Sequence, residues 1–229
     1  MAAAPRQELD RRRIRQGMSQ AGTPGERLNE LLLEAELAPL DDAVAARFES
    51  YLSLLLRWNS RVNLTALREE STILARHFIE SIGCARALPT GLATLLDFGS
   101  GAGLPGIPIA LCRPEVAVTL AESQSKKAAF LQEAVRVLGL SARIFHGRAE
   151  TLRLQFDCVV LRAVDRMQVA VEAAAPLVRS GGWLVLMTSE GELESLKAAA
   201  GPEFCWNKPE KMTGGERRLL AMALRRTVG

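Results

Sequence analysis

A chain of 229 residues with 48% hydrophobic content is long enough to bury a substantial core, and its apolar runs fall far short of the roughly 18 residues that cross a bilayer. The net charge of +3 is concentrated at one end, where Arg6, Arg11, Arg12, Arg13 and Arg15 outnumber Glu8 and Asp10 within residues 1–25; the body beyond is neutral. With no apolar signal core at the N-terminus, this composition predicts a cytoplasmic protein without a membrane span. Cys84, Cys112, Cys158 and Cys205 stand far apart in apolar surroundings, as buried thiols do, and form no C-x-x-C pair. His77 and His146 are the only histidines and neither has a second ligand at metal spacing, so no metal centre is expected.

Residues 1–25 read as a flexible basic tail able to touch a polyanion. From residue 26 to 88 only helices are expected, an N-terminal cap, with helical spacing in "RLNELLLEAEL" and "VAARFESYLSLLLRWNSRVNL". "STILARHFIESIGCARAL" is the third of them, with Arg76 and Glu80, and likewise His77 and Ser81, four residues apart. Beyond Pro89 the period changes. Short apolar strands, "ATLLDF", "VAVTLAE", "ARIFHG", "FDCVVLRA" and "WLVLMT", alternate with helices such as "KKAAFLQEAVRVLGL". Residues 89–229 therefore form an α/β domain, a doubly wound and mostly parallel sheet of Rossmann-like type, with "ERRLLAMALRR" as a last antiparallel strand near the edge.

Ligands of such a sheet bind beyond the carboxyl ends of its strands. The first strand ends at Asp97 and opens into "GSGAGLPG", whose glycines, Gly99, Gly101, Gly103 and Gly106, allow positive φ and close backbone approach. The letters match the dinucleotide fingerprint, but a pyrophosphate needs free N–H groups and positive potential, whereas Asp97 is an acid and Pro105 removes one N–H. S-adenosylmethionine carries no phosphate, and a carboxylate favours its cationic groups. Glu122, ending the second strand, is placed to accept from two ribose hydroxyls. These residues favour S-adenosylmethionine over a dinucleotide.

At these motifs the chain resembles the RsmG (GidB) family of bacterial methyltransferases, which modify nitrogen 7 of a guanosine in the 530 loop of 16S ribosomal RNA. The resemblance spans roughly residues 28–225 and rests on "WNSRVNLTAL", "RHFIES", "LLDFGSGAGLPGIPIAL", "RPEVAVTLAES", "KKAAFL", "GRAE", "RAV" and "GGERRLL". It implies a class I S-adenosylmethionine-dependent fold, with cofactor contacts at Gly99 and Leu104, at Glu122, at Ala149 and Glu150 near the adenine, and at Arg162 after the fourth strand. It places His77 beside Arg76 toward the substrate cleft, and Asn63 and Thr65 as a brace between cap and cleft. The chain departs from the family pattern at Glu80, Leu161 and the pair Thr188 and Ser189.

For the chemistry, Asp97, Gly99, Gly101, Leu104, Glu122, Ala149, Glu150 and Arg162 are the expected cofactor set. Arg162 is also expected to position substrate or cofactor, since a charge ending an apolar strand is costly unless paired or functional. Arg76, His77, Lys126 and Lys127 are candidates for RNA contact. No Ser/His/Asp or Cys/His arrangement is present, and methylation of an unprotonated nitrogen needs no base. The expected partner is 16S ribosomal RNA or the small subunit, and the chain is read as a monomer. The rival readings are a cofactor-binding ribosome-assembly factor without turnover and a small-molecule methyltransferase.

Overall fold

The computed structural model describes residues 22–62, 64, 69–212 and 217–227. The basic tail through residue 21, and Asn63 and Thr65, lie outside the described residues. The first helix, α1 (Pro24–Glu34), starts ahead of the expected boundary because Thr23 caps it. Its hydroxyl accepts from the Glu26 N–H, while the Glu26 carboxylate accepts from the Thr23 N–H, and Pro24 occupies the first turn. The second helix, α2 (Asp42–Asn59), is capped by Asp41. It buries Phe48, Tyr51, Leu52 and Leu55, one stripe at i, i+3, i+4 and i+7. Each such side chain contributes about 1.5–3 kcal/mol.

The third helical rod runs over 70–87 but is not regular. Its stretch Ile73–Phe78 is π-helical, with the Ile79 N–H reaching back to the Leu74 carbonyl, before α3 (Ile79–Ala87) resumes the tighter turn. A period of 3.6 carries no signal for such an inserted residue. Tertiary packing holds it: Phe78 stacks on Tyr51 and meets Phe48 edge-on, with ring centroids 5.2 Å apart in both cases.

The sheet comprises β1 (Thr94–Phe98), β2 (Ala117–Glu122), β3 (Arg143–His146), β4 (Phe156–Arg162), β5 (Val178–Ser189), β6 (Phe204–Trp206), β7 (Glu210–Lys211) and β8 (Arg218–Arg225). Its order is β3-β2-β1-β4-β5-β8-β6, with β7 also on β8. Strands β1 to β5 are parallel and β8 is antiparallel to β5, as the sequence predicts. The strands β6 and β7 were not expected; three and two residues are too short to show a period.

The connecting helices are α4 (Gly106–Cys112), α5 (Ser125–Val137), α6 (Met167–Ala174) and α7 (Leu193–Ala200). All seven residues of β4 are buried, so this central strand is covered on both faces. The cap helices share one apolar core with α4, α5 and one sheet face, from Leu28 and Phe48 through Ile107 and Phe130 to Val160. The other face packs on α6 and α7 through Val171, Ala174, Leu193 and Leu196. The cap is therefore continuous with the α/β core rather than built around a core of its own. The order reverses between β1 and β4, which opens a crevice at their carboxyl ends.

Candidate active site

At that crevice β1 passes into α4 through three glycines in the left-handed region, Gly99, Gly101 and Gly103, with φ of 75°, 56° and 85°. The glycines have different neighbours. A Cβ on Gly103 would collide with Ile107, and one on Gly106 with Leu120 and the Asp97 carboxyl, so both let α4 pack tightly on the sheet. A Cβ on Gly101 would meet nothing nearer than the Gly99 carbonyl at 3.9 Å. This glycine borders open space, where backbone can approach a ligand.

Glu122 faces it from the end of β2. Its Oε2 accepts from the Gly101 N–H at 2.9 Å and its Oε1 from the Gln124 N–H at 2.7 Å. Each oxygen keeps a further acceptor position, the donor–acceptor match that two ribose hydroxyls require. Asp97, 1% exposed, lies beneath the turn, and its Oδ2 accepts from the Gly106 N–H at 3.1 Å. The first amide of α4, where a pyrophosphate would sit, is thus already taken by a carboxylate. Burial raises the pKa of Asp97 to about 7. A cation nearby would restore its charge. The residues therefore fit S-adenosylmethionine and not a dinucleotide.

The remaining expected cofactor contacts gather around the same edge. Gly99 and Leu104 lie within the turn, Leu104 buried, and the N–H groups of Gly99 and Ser100 donate to the Ala121 carbonyl of β2. Ala149 and Glu150 form a 3-10 turn, Ala149–Thr151, tied to β2 through the Gly147 N–H and the Glu122 carbonyl at 3.0 Å. Ala149 is buried, while Glu150 pairs with Arg148.

Arg162 ends β4 with its guanidinium inside the protein. It donates to Glu80 Oε2 at 2.5 Å, Ser81 Oγ at 3.0 Å, His77 Nδ1 at 2.9 Å and the His77 carbonyl at 3.3 Å. All four Nη hydrogens are committed, so Arg162 ties the end of β4 to the π-helical turn and to α3. Because arginine only donates, His77 Nδ1 is the acceptor and its proton sits on Nε2. Burial, reinforced by the charges of Arg162, Arg76 and Arg218, lowers the His77 pKa to about 3. His77 is therefore held neutral beside Arg162. Arg76 is exposed, and Lys126 and Lys127 stand in the first turn of α5. The loop after Arg162 holds Ala163 and Arg166 at φ of 49° and 53°, two left-handed non-glycine residues of the kind that cluster at ligand clamps.

Residues 44–218 match the model of the GidB family, rRNA small subunit methyltransferase G. The chain belongs to this family. It is 38% identical over 208 residues to the ribosomal RNA small subunit methyltransferase G of Chloroflexus aggregans (strain MD-66 / DSM 9485), covering 84% of this chain and 87% of that protein. It is 36% identical over 193 residues to the protein of that name from Geobacillus kaustophilus (strain HTA426), covering 81% and 78%. Among solved structures it is similar in fold to M. jannaschii TYW2 in complex with AdoMet, with a TM-score of 0.54 and 15% identity over 66% of this chain and 77% of that one. TrmN from Thermus thermophilus gives a TM-score of 0.51 at 20% identity, over 67% and 53%.

For this GidB-family chain, the departures at Glu80, Leu161 and Thr188 are buried and Ser189 is half-buried. Glu80 is the buried counterion of Arg162, Leu161 is core, and the hydroxyls of Thr188 and Ser189 donate to Glu192 at the start of α7. Sequence reasoning missed Tyr51. From α2 its hydroxyl donates to the Ala102 carbonyl at 2.6 Å, so the cap holds the glycine turn directly. The available signal was a phenol on an apolar helix stripe, which needs a buried acceptor. No group of three or more metal-ligating side chains occurs among the described residues, and no helix among them is long and apolar enough to cross a membrane.

Proposed function

We propose that the chain transfers a methyl group from S-adenosylmethionine to nitrogen 7 of a guanosine in the 530 loop of 16S ribosomal RNA, on the RNA or the small subunit. The family match over residues 44–218 carries this reading, and the geometry of Gly101, Glu122 and Asp97 supports the cofactor. When bound, S-adenosylmethionine supplies an electrophilic methyl on its sulfonium. The chain's own residues do the positioning. Glu122 grips the ribose hydroxyls while fixing Gly101, and the buried Asp97, through its charge, favours a cationic ligand above the turn. Leu104, Ala149 and Glu150 border the adenosine.

Arg162, locked by Glu80, Ser81 and His77, fixes the end of β4 and the loop that follows, where the acceptor base must be presented. Nitrogen 7 carries no proton, so its lone pair attacks without a general base. Alignment and exclusion of water suffice, effects worth roughly 7–11 kcal/mol. Neutral His77, engaged by Arg162, fits a site that needs no proton acceptor.

Incubation of the protein with labelled cofactor and small subunits from cells lacking the gene tests the reading. Label is expected in 16S RNA as 7-methylguanosine. A protein that binds cofactor but labels no RNA would instead support the assembly-factor reading, and label on small molecules alone the third.

A further inference from the structure

One cation at the site is held loosely. Strand β8 is antiparallel, so its first residue lies at the carboxyl edge of its parallel neighbour: Arg218 pairs with Ser189, the last residue of β5. This brings Arg218 beside the end of β4 and onto the charge cluster around Glu80. The Glu80 side chain is 1% exposed and has two unequal oxygens. Oε2 is committed to Arg162 at 2.5 Å, whereas Oε1 is buried with no hydrogen-bond partner and lies 3.5 Å from Arg218 Nε, itself a buried unpaired donor. Two guanidiniums thus share one carboxylate, and the neutral His77 adds no charge. Glu192, a further acid that the Arg218 charge favours, is engaged by the Thr188 and Ser189 hydroxyls.

The two arginines differ in what they can still do. Arg162 is 4% exposed and its Nη hydrogens are all used. The Arg218 side chain is 30% exposed, and its link to Glu80 is Coulombic rather than a hydrogen bond. An unpaired buried donor beside an orphaned buried oxygen is costly, and such a pair in a native structure calls for a functional explanation. A guanidinium that is charged, reachable and anchored by attraction alone suits a phosphate arriving with a polyanion.

We propose that Arg218 contacts a backbone phosphate of the RNA next to the acceptor nucleotide, and that Glu80 is the positioning residue that keeps it aimed at the crevice. This rests on the reading of the chain as an RNA methyltransferase. The test compares wild type with Arg218→Met and Arg218→Lys on small subunits from cells lacking the gene, measuring binding across a salt series, KM against kcat, and cofactor affinity by calorimetry. Arg218→Met is expected to raise KM for subunits about tenfold or more and to reduce the slope of log affinity against log salt by about one. Arg218→Lys restores most of both, and cofactor affinity stays within twofold. An unchanged KM and salt slope, or a cofactor affinity that falls along with subunit affinity, would overturn the proposal. If wild type binds subunits but methylates none, the enzymatic reading fails, while the salt slope still decides the phosphate contact.

Discussion

The carboxylate of Glu122 and the backbone N–H of Gly101 are 2.9 Å apart, so the acid that ends β2 fixes the turn that follows β1. One side chain therefore does two things. It shapes the glycine turn, and in the proposed reading its remaining acceptor positions take the cofactor ribose.

Substituting Glu122 by alanine removes both. The loss of two hydrogen bonds to a charged acceptor costs about 3 kcal/mol or more, so cofactor affinity is expected to fall at least a hundredfold by calorimetry. An affinity within threefold of wild type would place the ribose elsewhere.

The Tyr51 hydroxyl acts on the same turn from the cap. Tyr51→Phe keeps the ring stack on Phe78 but leaves the Ala102 carbonyl without that donor, a loss of about 1–2 kcal/mol. Thermal denaturation should show a drop of several degrees, with a several-fold weaker cofactor affinity, because the cap no longer fixes the turn. A variant with wild-type values on both would detach the cap from the site.

In the proposed reading, Asp97 is expected to make cofactor binding depend on pH. In the ligand-free protein burial holds its pKa near 7; a cationic ligand favours the carboxylate, so binding releases the proton. Affinity should fall by up to tenfold per unit as pH drops below about 7 and level off above it. Stability of the ligand-free protein runs the other way. The folded pKa lies above the unfolded value near 3.8, so the native state holds the proton between the two, and stability declines as pH rises through that window. Asp97→Asn should flatten both profiles. A pH-independent affinity in the unsubstituted protein would separate Asp97 from the ligand.

Glu80 neutralises a buried guanidinium. Glu80→Ala strands that charge, and breaking such a pair typically costs about 3–5 kcal/mol, so the variant should melt far below wild type or fail to accumulate. A melting temperature within two degrees would show the pair to be dispensable.

The sheet was legible because β1, β2, β4 and β5 are apolar runs that end at chemically distinct residues, and β8 is an apolar run of strand length set off by a glycine turn. Gly101 and Glu122 were readable for the same reason, since strand ends are marked in sequence. The partners of Arg162 were only half visible. The spacing of His77 and Ser81 brought them together, but the π-helical turn that aims them depends on Phe78 packing against Tyr51 and Phe48, contacts distant in sequence. Arg218 was hidden because its place follows from an antiparallel strand beginning beside β5, a property of topology and not of local pattern.

Methylation of ribosomal RNA at nitrogen 7 leaves a mark that can be read in the cell. The most direct measurement maps 7-methylguanosine in 16S RNA from cells with the gene, without it, and complemented with wild type or Glu122→Ala. One 7-methylguanosine in the 530 loop is expected to vanish on deletion, return with wild type and fail to return with Glu122→Ala. A modification pattern identical with and without the gene, or one that changes at an exocyclic amine or ribose hydroxyl instead, would contradict it.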